Sequence, residues 1–489
     1  MRLTLLLCLI VSALAAETVK PPYFGIHVID EATGRGIPLI EMRTVNDVRG
    51  ITDNAGWIAF YEPGLMDREV WFYISLSPGY EREKDGFGYV GARLKTTPGT
   101  TATVKMKRTN IAERIARTTG QGLYRDSEML GLPCPLPNLG NAGVMGSDSV
   151  QAVPYRGKIF WLWGDTNVPH YPLGNFQTTS AFTSRDLKPE QGIDFDFDYL
   201  VDEKRPDKIR HMLPIEGPGA VWLFGLLNAK DDRGEEAMLA HYSRHKSLDN
   251  AVEHGLAKFD DKLGHFTVLK QLDKANTWHY PRGHAVRAGE HFYFSDGFLL
   301  TRTKAEWASL IEPASYEALR YDETKHEWRW QHDQPPTTPD DEVKLLLRGQ
   351  MPKEHARYHL KDVASEKFVS LHGGSVQWNE HRQRWVLIGL QRGGKDDPSP
   401  LGEVWYAESK QPDGPWTKAI KVASHPRYTY YNPVHHGFLD TEGGRYIYFE
   451  GTYSLEFSGN PLAPARYDYN QLMYRLDLDD QRLNDARAK

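Results

Sequence analysis

Between Phe24 and Met106, apolar and polar residues alternate in short runs: FGIHVID, WIAFY, REVWFYISL and TATVKMK. Breaks such as ATGRG, TDNAG and SPGY separate them. Alternation with a period of two over runs this short predicts antiparallel strands that bury one face and wet the other. Residues 21–108 are therefore predicted to form a small β-sandwich. The character changes over 109–135, where TNIAERIARTTGQGLYRDSEML predicts a helical connector, with Thr109 or Asn110 as its cap and Glu113 following in the first turn.

From Gly146 a second pattern recurs, loosely, five times. Each copy has a short strand, a tight turn, a strongly aromatic strand, a long loop, and then a third strand with a charged outer hairpin. The copies open with GSDSVQAVPYRGKIFWLWGDTN, GPGAVWLFGLLN, RGHAVRAGEHFYFSDGF, LHGGSVQWNEHRQRWVLIGLQ and YNPVHHGFLDTEGGRYIYFEGTY. The second copy is the weakest, and its first hairpin reads as truncated or displaced. Units of about 50 residues with three or four strands each are the pattern of propeller blades. The chain is thus predicted to be all-β, a five-bladed β-propeller over 136–485 preceded by the N-terminal β-sandwich. An irregular pair of large sheets is the alternative architecture.

Loop lengths predict the functional face. The first two strands of a blade join through tight turns at Arg156-Gly157, Ala288–Glu290, Glu380–Gln383 and Thr441–Gly444. The next connections are long, roughly 166–178, 297–314, 392–401 and 453–470. Long loops on a rigid scaffold carry ligands more often than tight turns do, so the long-loop mouth of the channel is the expected site. An insertion, Gln334–Phe368, ends near it, and its basic residues (Lys344, Arg348, Lys353, Arg357, Lys361) predict either a solvated helix or a contact to an acidic ligand group.

In the first copy, a two-residue turn at Arg156-Gly157 pairs Tyr155 with Lys158, and counting outward sets Asp148 opposite Asp165. Directly opposed residues have Cβ atoms about 4.5–5.5 Å apart. Two carboxylates that close push one pKa upward, the condition for an acid and a base or nucleophile to coexist at one pH. Each aspartate alone could equally be a turn or strand cap. At equivalent places in other copies stand His284, His372, Asn432, His435 and His436 at strand starts, and Asp296 and Glu450 at strand ends. Counting sets Asp296 near His284 and Glu450 near His435. Such a ring suits hydrogen bonding to sugar hydroxyls, with Arg282 and Arg466 available for an acidic group. Imidazole with carboxylate could also hold a divalent Zn, Mn or Fe ion, but no helical His-x-x-x-His motif supports one, so no cofactor is required by this reading.

Bulk properties narrow the classes. The 489 residues carry 59 Lys and Arg against 65 Asp and Glu, a formal net charge of −6, which gives no support to nucleic acid as a partner. Residues 1–16, MRLTLLLCLIVSALAA, have the basic start, apolar run and small-residue end of a signal peptide, which predicts a secreted or periplasmic protein. No later stretch approaches the ~20 apolar residues of a membrane helix. Cys134 is the one cysteine outside that leader, so no internal disulfide is expected, and its PCPLP setting predicts a packed thiol.

Two resemblances follow from these motifs. The D-x-x-T-G-x-G-I-P run at Asp30–Pro38 and T-D-N-A-G at Thr52–Gly56 resemble transthyretin-like, carboxypeptidase-regulatory-type modules, which implies structural roles for Asp30 and Asp53. GSDSV…WLWGDTN resembles a family of secreted bacterial five-bladed propellers that includes endo-D-arabinanases, and LGEVWYAESKQPDGPW looks like blades of the arabinanase and xylosidase clan. That resemblance implies a glycoside hydrolase of polysaccharide or oligosaccharide with Asp148 and Asp165 as catalytic carboxylates. Glu450, Asp296, the histidines, Asn432 and the two arginines would then bind substrate or tune pKa values. Two other classes stay open: a non-catalytic glycan-binding propeller, and a metal-assisted polysaccharide lyase using the histidine ring.

Overall fold

The computed structural model describes residues 22–136, 141–187, 195–274, 277–294, 296–393, 401–464 and 468–486. The leader-like segment and Arg466 lie outside them. The chain is mostly strand, and among the described residues no helix is long and apolar enough to cross a membrane.

The alternating runs near the N-terminus form two four-stranded sheets. One contains Phe24–Asp30 between Trp57–Phe60 and Thr101–Arg108, with Tyr80–Glu81 at its edge; the other orders Arg49–Ile51, Glu41–Thr44, Glu69–Leu76 and Gly91–Lys95. Their inward residues, among them Ile26, Val28, Met42, Phe72, Ile74 and Val104, make one core. Asp30 and Asp53 are structural. Asp30 accepts the Ala32 N–H at 2.8 Å and pairs with Arg108 at 3.1 Å. One Asp53 oxygen accepts from the Ala55 and Trp57 amides, and the other accepts from the Ser127 amide and hydroxyl.

Seven further sheets follow among the described residues, five of them the blades and two small ones of three and two strands. Blade 1 runs outward as Gln151–Tyr155, Lys158–Trp163, Thr179–Ser184 and Asp198–Tyr199. Blade 2 comprises Ala220–Lys230, Glu236–Ser247, Asn250–Asp260 and His265–Leu272. Blade 3 begins at Val286–Ala288, blade 4 at Leu371–Asn379 and blade 5 at Thr429–His435. Each neighbouring pair shares its own apolar core. Phe160 meets Leu223 between blades 1 and 2, Leu239 meets Phe292 between 2 and 3, and Tyr293 meets Leu387 between 3 and 4. Ile388 and Phe449 share a core between 4 and 5, and Tyr448 and Trp161 share one between 5 and 1. Five interfaces linking five sheets in sequence and back to the first describe a closed ring, the propeller arrangement.

The closure corrects the expected helical connector over 109–135. Glu113–Arg117 is a strand, paired antiparallel with Asn470–Asp477 as the outermost strand of blade 5. All five of its residues are buried, a condition one amphipathic helical face could not meet. Helix in this region is confined to Arg125–Met129. A second correction concerns the second copy. Its hairpin is complete and is the longest in the ring, with strands of 11 and 12 residues joined through a turn in which the Asp231 amide donates to Glu235.

In the insertion, the helix Pro339–Leu347 is capped by Thr338 and Asp341. Lys344 pairs with Asp341, and Arg357 with Asp413 and the Gly414 carbonyl. Lys344, Arg348 and Lys353 are exposed, whereas Arg357 is mostly buried over the Trp328 ring.

Candidate functional site

The Arg156-Gly157 turn has positive φ at both residues, 46° and 78°, as a two-residue hairpin of the twist-compatible type requires. Tyr155 therefore pairs with Lys158, and the same register carries through Gln151 and Leu162 to Ser147 and Thr166. Asp148 and Asp165 fall opposite each other as the register demands. The Asp148 amide donates to the Asp165 carbonyl at 3.2 Å, and the Gly164 amide donates to the Asp148 carbonyl at 2.9 Å. Gly164 is required here: a Cβ would stand 2.2 Å from the Asp148 carboxylate, which folds over it.

Both carboxyls are half-buried, and neighbouring blades hold them. Asp148 Oδ2 accepts from the hydroxyls of Tyr431 at 3.0 Å and Tyr469 at 2.7 Å, both from blade 5. Asp165 Oδ1 accepts from the indole Nε1 of Trp222 at 2.7 Å, on the inner strand of blade 2. The Trp222 ring is braced edge-on by Phe176 at 5.2 Å and by His245 at 5.0 Å. Burial pushes the Asp165 carboxyl up to about 7, against the Trp222 bond and with a further push from Asp148. Burial also raises Asp148, but Tyr469, Tyr431, Ser149 and the Asp165 backbone all favour its ionised form. Burial followed by the Asp148 charge keeps the Tyr469 and Tyr431 phenols protonated, so both remain donors. The hydroxyl donors to Asp148 favour its charged form against burial, and that charge adds to the push that holds the proton on Asp165.

Beside this pair opens a cavity of about 580 Å³ to which every blade contributes: Gln151, Phe224, His284, His372 and Asn432 each come from a different one. Ser149, next to Asp148, lines it and accepts from Asn432 Nδ2 at 2.7 Å. His245, which touches Trp222, lines it too. Neither Asp148 nor Asp165 is itself among the lining residues; Ser149 and His245 stand between the pair and the cavity.

Of the expected substrate-binding residues, Arg282, His284, Asp296, His372 and Asn432 line the cavity. Arg282 approaches Asp296 at 3.7 Å with both side chains about half exposed. Burial lowers His284 and His372, while Asp296 opposes the shift at each. His435, His436 and Glu450 do not line it, which corrects their expected role. They are at most 2% exposed. His435 Nε2 meets Asp440 at 2.8 Å, and His436 Nε2 meets Glu450 at 2.8 Å. The other Glu450 oxygen accepts from Thr118. Glu450 therefore partners His436 rather than His435. The cause is a register shift between Tyr431 and Val434, with Asn432 at φ 54°, which turns Asn432 into the channel and the following side chains into the blade.

The cavity also contains three histidines that the repeat comparison missed: His241, His245 and His254 of blade 2. A signal for two of them was present, since His241, Ser243 and His245 are alternate residues of one strand and share a face. His241 Nε2 lies 3.0 Å from His254 Nδ1, and their rings stack at 5.2 Å. Burial, with His254, Arg282 and His245, depresses His241 to about 3, and burial lowers His254 as well. His241 and His254 are neutral hydrogen-bonding groups at neutral pH. Among the described residues, no three His, Cys, Asp or Glu side chains converge as a group that could hold a metal ion.

No family model matches this chain, and no curated protein matches it. Among solved structures, it is similar to a provisionally assigned hydrolase from Bacteroides ovatus, at 14% identity, TM-score 0.46, over 71% of this chain and 89% of that one. It is also similar to an exo-β-1,3-galactanase from Phanerochaete chrysosporium, at 10% identity, TM-score 0.35, over 68% and 61%. A third is a GH43_1 enzyme from Xanthomonas citri complexed with xylotriose, at 9% identity, TM-score 0.34, over 68% and 86%. At these values the likeness bears on neither substrate nor mechanism.

Proposed function

We propose that this protein hydrolyses glycosidic bonds in a polysaccharide at the mouth of the ring, with Asp165 as general acid and Asp148 as the ionised partner. The observation that carries the reading is the unequal pair: one carboxyl raised to about 7 and bonded to a single indole, beside one that accepts from two phenols. Asp165 would give its proton to the leaving glycosidic oxygen. Asp148 would stabilise the positive charge that develops on the sugar and either activate water or attack the anomeric carbon, the division of labour in carboxylate-pair glycosidases. The cavity beside them would seat the adjoining sugar, with Phe224 as an apolar wall and the neutral histidines, Asn432 and Asp296 as hydroxyl partners. The first-copy motif points to arabinan-type furanosides as the first polymers to assay, and the leader-like N-terminus points to action outside the cytoplasm.

The test is reducing-end release from a glycan panel by wild type, Asp148→Asn and Asp165→Asn. Losing a positioned acid or base should lower turnover by about 10²–10⁴-fold. Undiminished release by both variants would overturn the reading. So would a product with a new ultraviolet-absorbing double bond, the mark of elimination.

A further inference from the structure

Charge is distributed unevenly around the cavity. The chain as a whole is acidic, at −6. Yet among the described lining residues there is a single carboxylate, Asp296, against five histidines and Arg282. Asp296 stands 3.7 Å from the guanidinium, too far to occupy its fork of donors. Arg282 makes no other ion pair or hydrogen bond among the described residues, and neither His284 nor His372 makes any hydrogen bond there. The wall therefore presents unused N–H groups and one open guanidinium to whatever enters.

The same bias is felt inside the wall. His241 is held neutral by burial and then by its neighbours His254, Arg282 and His245. His254 is lowered by burial, His245 and Lys274, and His372 by burial and Arg392, with Asp296 alone opposing. Tyr280, whose ring lies 4.6 Å from His241, stays protonated and adds no negative charge. Burial is the larger part of these shifts; the standing positive charge on the wall is the Arg282 guanidinium, and that charge favours an anion in the space beside it.

We propose that this cavity receives an acidic sugar, one bearing a carboxylate or a sulfate group, with Arg282 and the His241–His254 pair as its anion-binding wall and Phe224 against the sugar ring. The inference rests on the carbohydrate reading of this mouth but not on hydrolysis. A guanidinium offers two parallel N–H groups to a carboxylate or sulfate, and the imidazoles add neutral donors.

Titration calorimetry of the full-length wild type with matched sugars tests this. Galacturonate is compared with galactose, glucuronate with glucose, and galactose 6-sulfate with galactose. At least one acidic member should bind about tenfold or more tightly than its neutral counterpart, since hydrogen bonds to charged groups exceed neutral ones by that order. The carboxylate and sulfate arms show which anion is preferred. Arg282→Gln should abolish the preference, as a lost charge-assisted contact would. Equal affinities within every pair, no binding of any acidic member, or a preference that survives Arg282→Gln would overturn the proposal. Repeating the titrations with Asp165→Asn keeps the two readings apart: its binding preference should persist whether or not the wild type hydrolyses anything.

Discussion

Asp165 has a cost that can be measured without a substrate. Its carboxyl, held near 7, keeps a proton in the folded protein at pH values where the unfolded chain, with a pKa of about 3.9, has lost it. The native state therefore binds more protons, and stability contributed by this group is full below about pH 4 and is lost as pH rises through about 7. Asp165→Asn should raise the melting temperature at pH 8 and leave it nearly unchanged at pH 4, as thermal scans at the two pH values would show. Asp148 has the opposite need, its charge depending on donors. Tyr469→Phe removes the 2.7 Å bond to that carboxylate, so the acidic limb of the pH–rate profile should move to higher pH while the alkaline limb stays in place. An unmoved acidic limb would separate Tyr469 from the ionisation of Asp148. The two aspartates were legible because one hairpin register relates them. Tyr431, Tyr469 and Trp222 were not, since they reach the pair from other blades and no local spacing connects residues 148 and 469.

The strand Glu113–Arg117 shows where local pattern misleads. Ile111 with Ile115, and Ala112 with Ala116, are four apart and mimic the stripe of an amphipathic helix. A partner some 360 positions away in the chain decides otherwise, as the Glu113 bond to Arg475 illustrates. Ile115 is 1% exposed and packs with Tyr448 and Met473 in the core that also holds Trp161. Ile115→Ala should cost about 2–5 kcal/mol, the range for emptying a packed aliphatic site, and chemical denaturation should register it as a lower midpoint. A loss under about 0.5 kcal/mol, typical of surface positions, would mean the ring does not depend on this closure. Blade 2 was misread for the converse reason: its first hairpin departs from the others in length, so its histidines had no counterparts to be aligned with. In blade 5 the spacing of His435, His436 and Glu450 was legible, but the irregularity at Asn432 that turns them inward was not.

Closure also joins the two β-units. Arg114, on the closing strand, is buried and donates to the carbonyls of Pro38, Leu39 and Pro78 in the sandwich while meeting the Tyr474 hydroxyl in blade 5. Asn54 exchanges two hydrogen bonds with the Arg117 backbone. The ring in turn brings together two carboxyls from blade 1 and their donors from blades 2 and 5, near a polar cavity lined by all five blades. If that assembly is a hydrolytic site with Asp165 as its acid, the need for Asp165 must scale with the basicity of the leaving group. The decisive quantity is kcat/KM of Asp165→Asn relative to wild type on the natural polymer and on a dinitrophenyl glycoside of the same sugar. A fall of about 10²–10⁴-fold on the polymer, with little change on the dinitrophenyl substrate, is what an acid catalyst gives. An equal fall on both substrates, or none on the polymer, would contradict it.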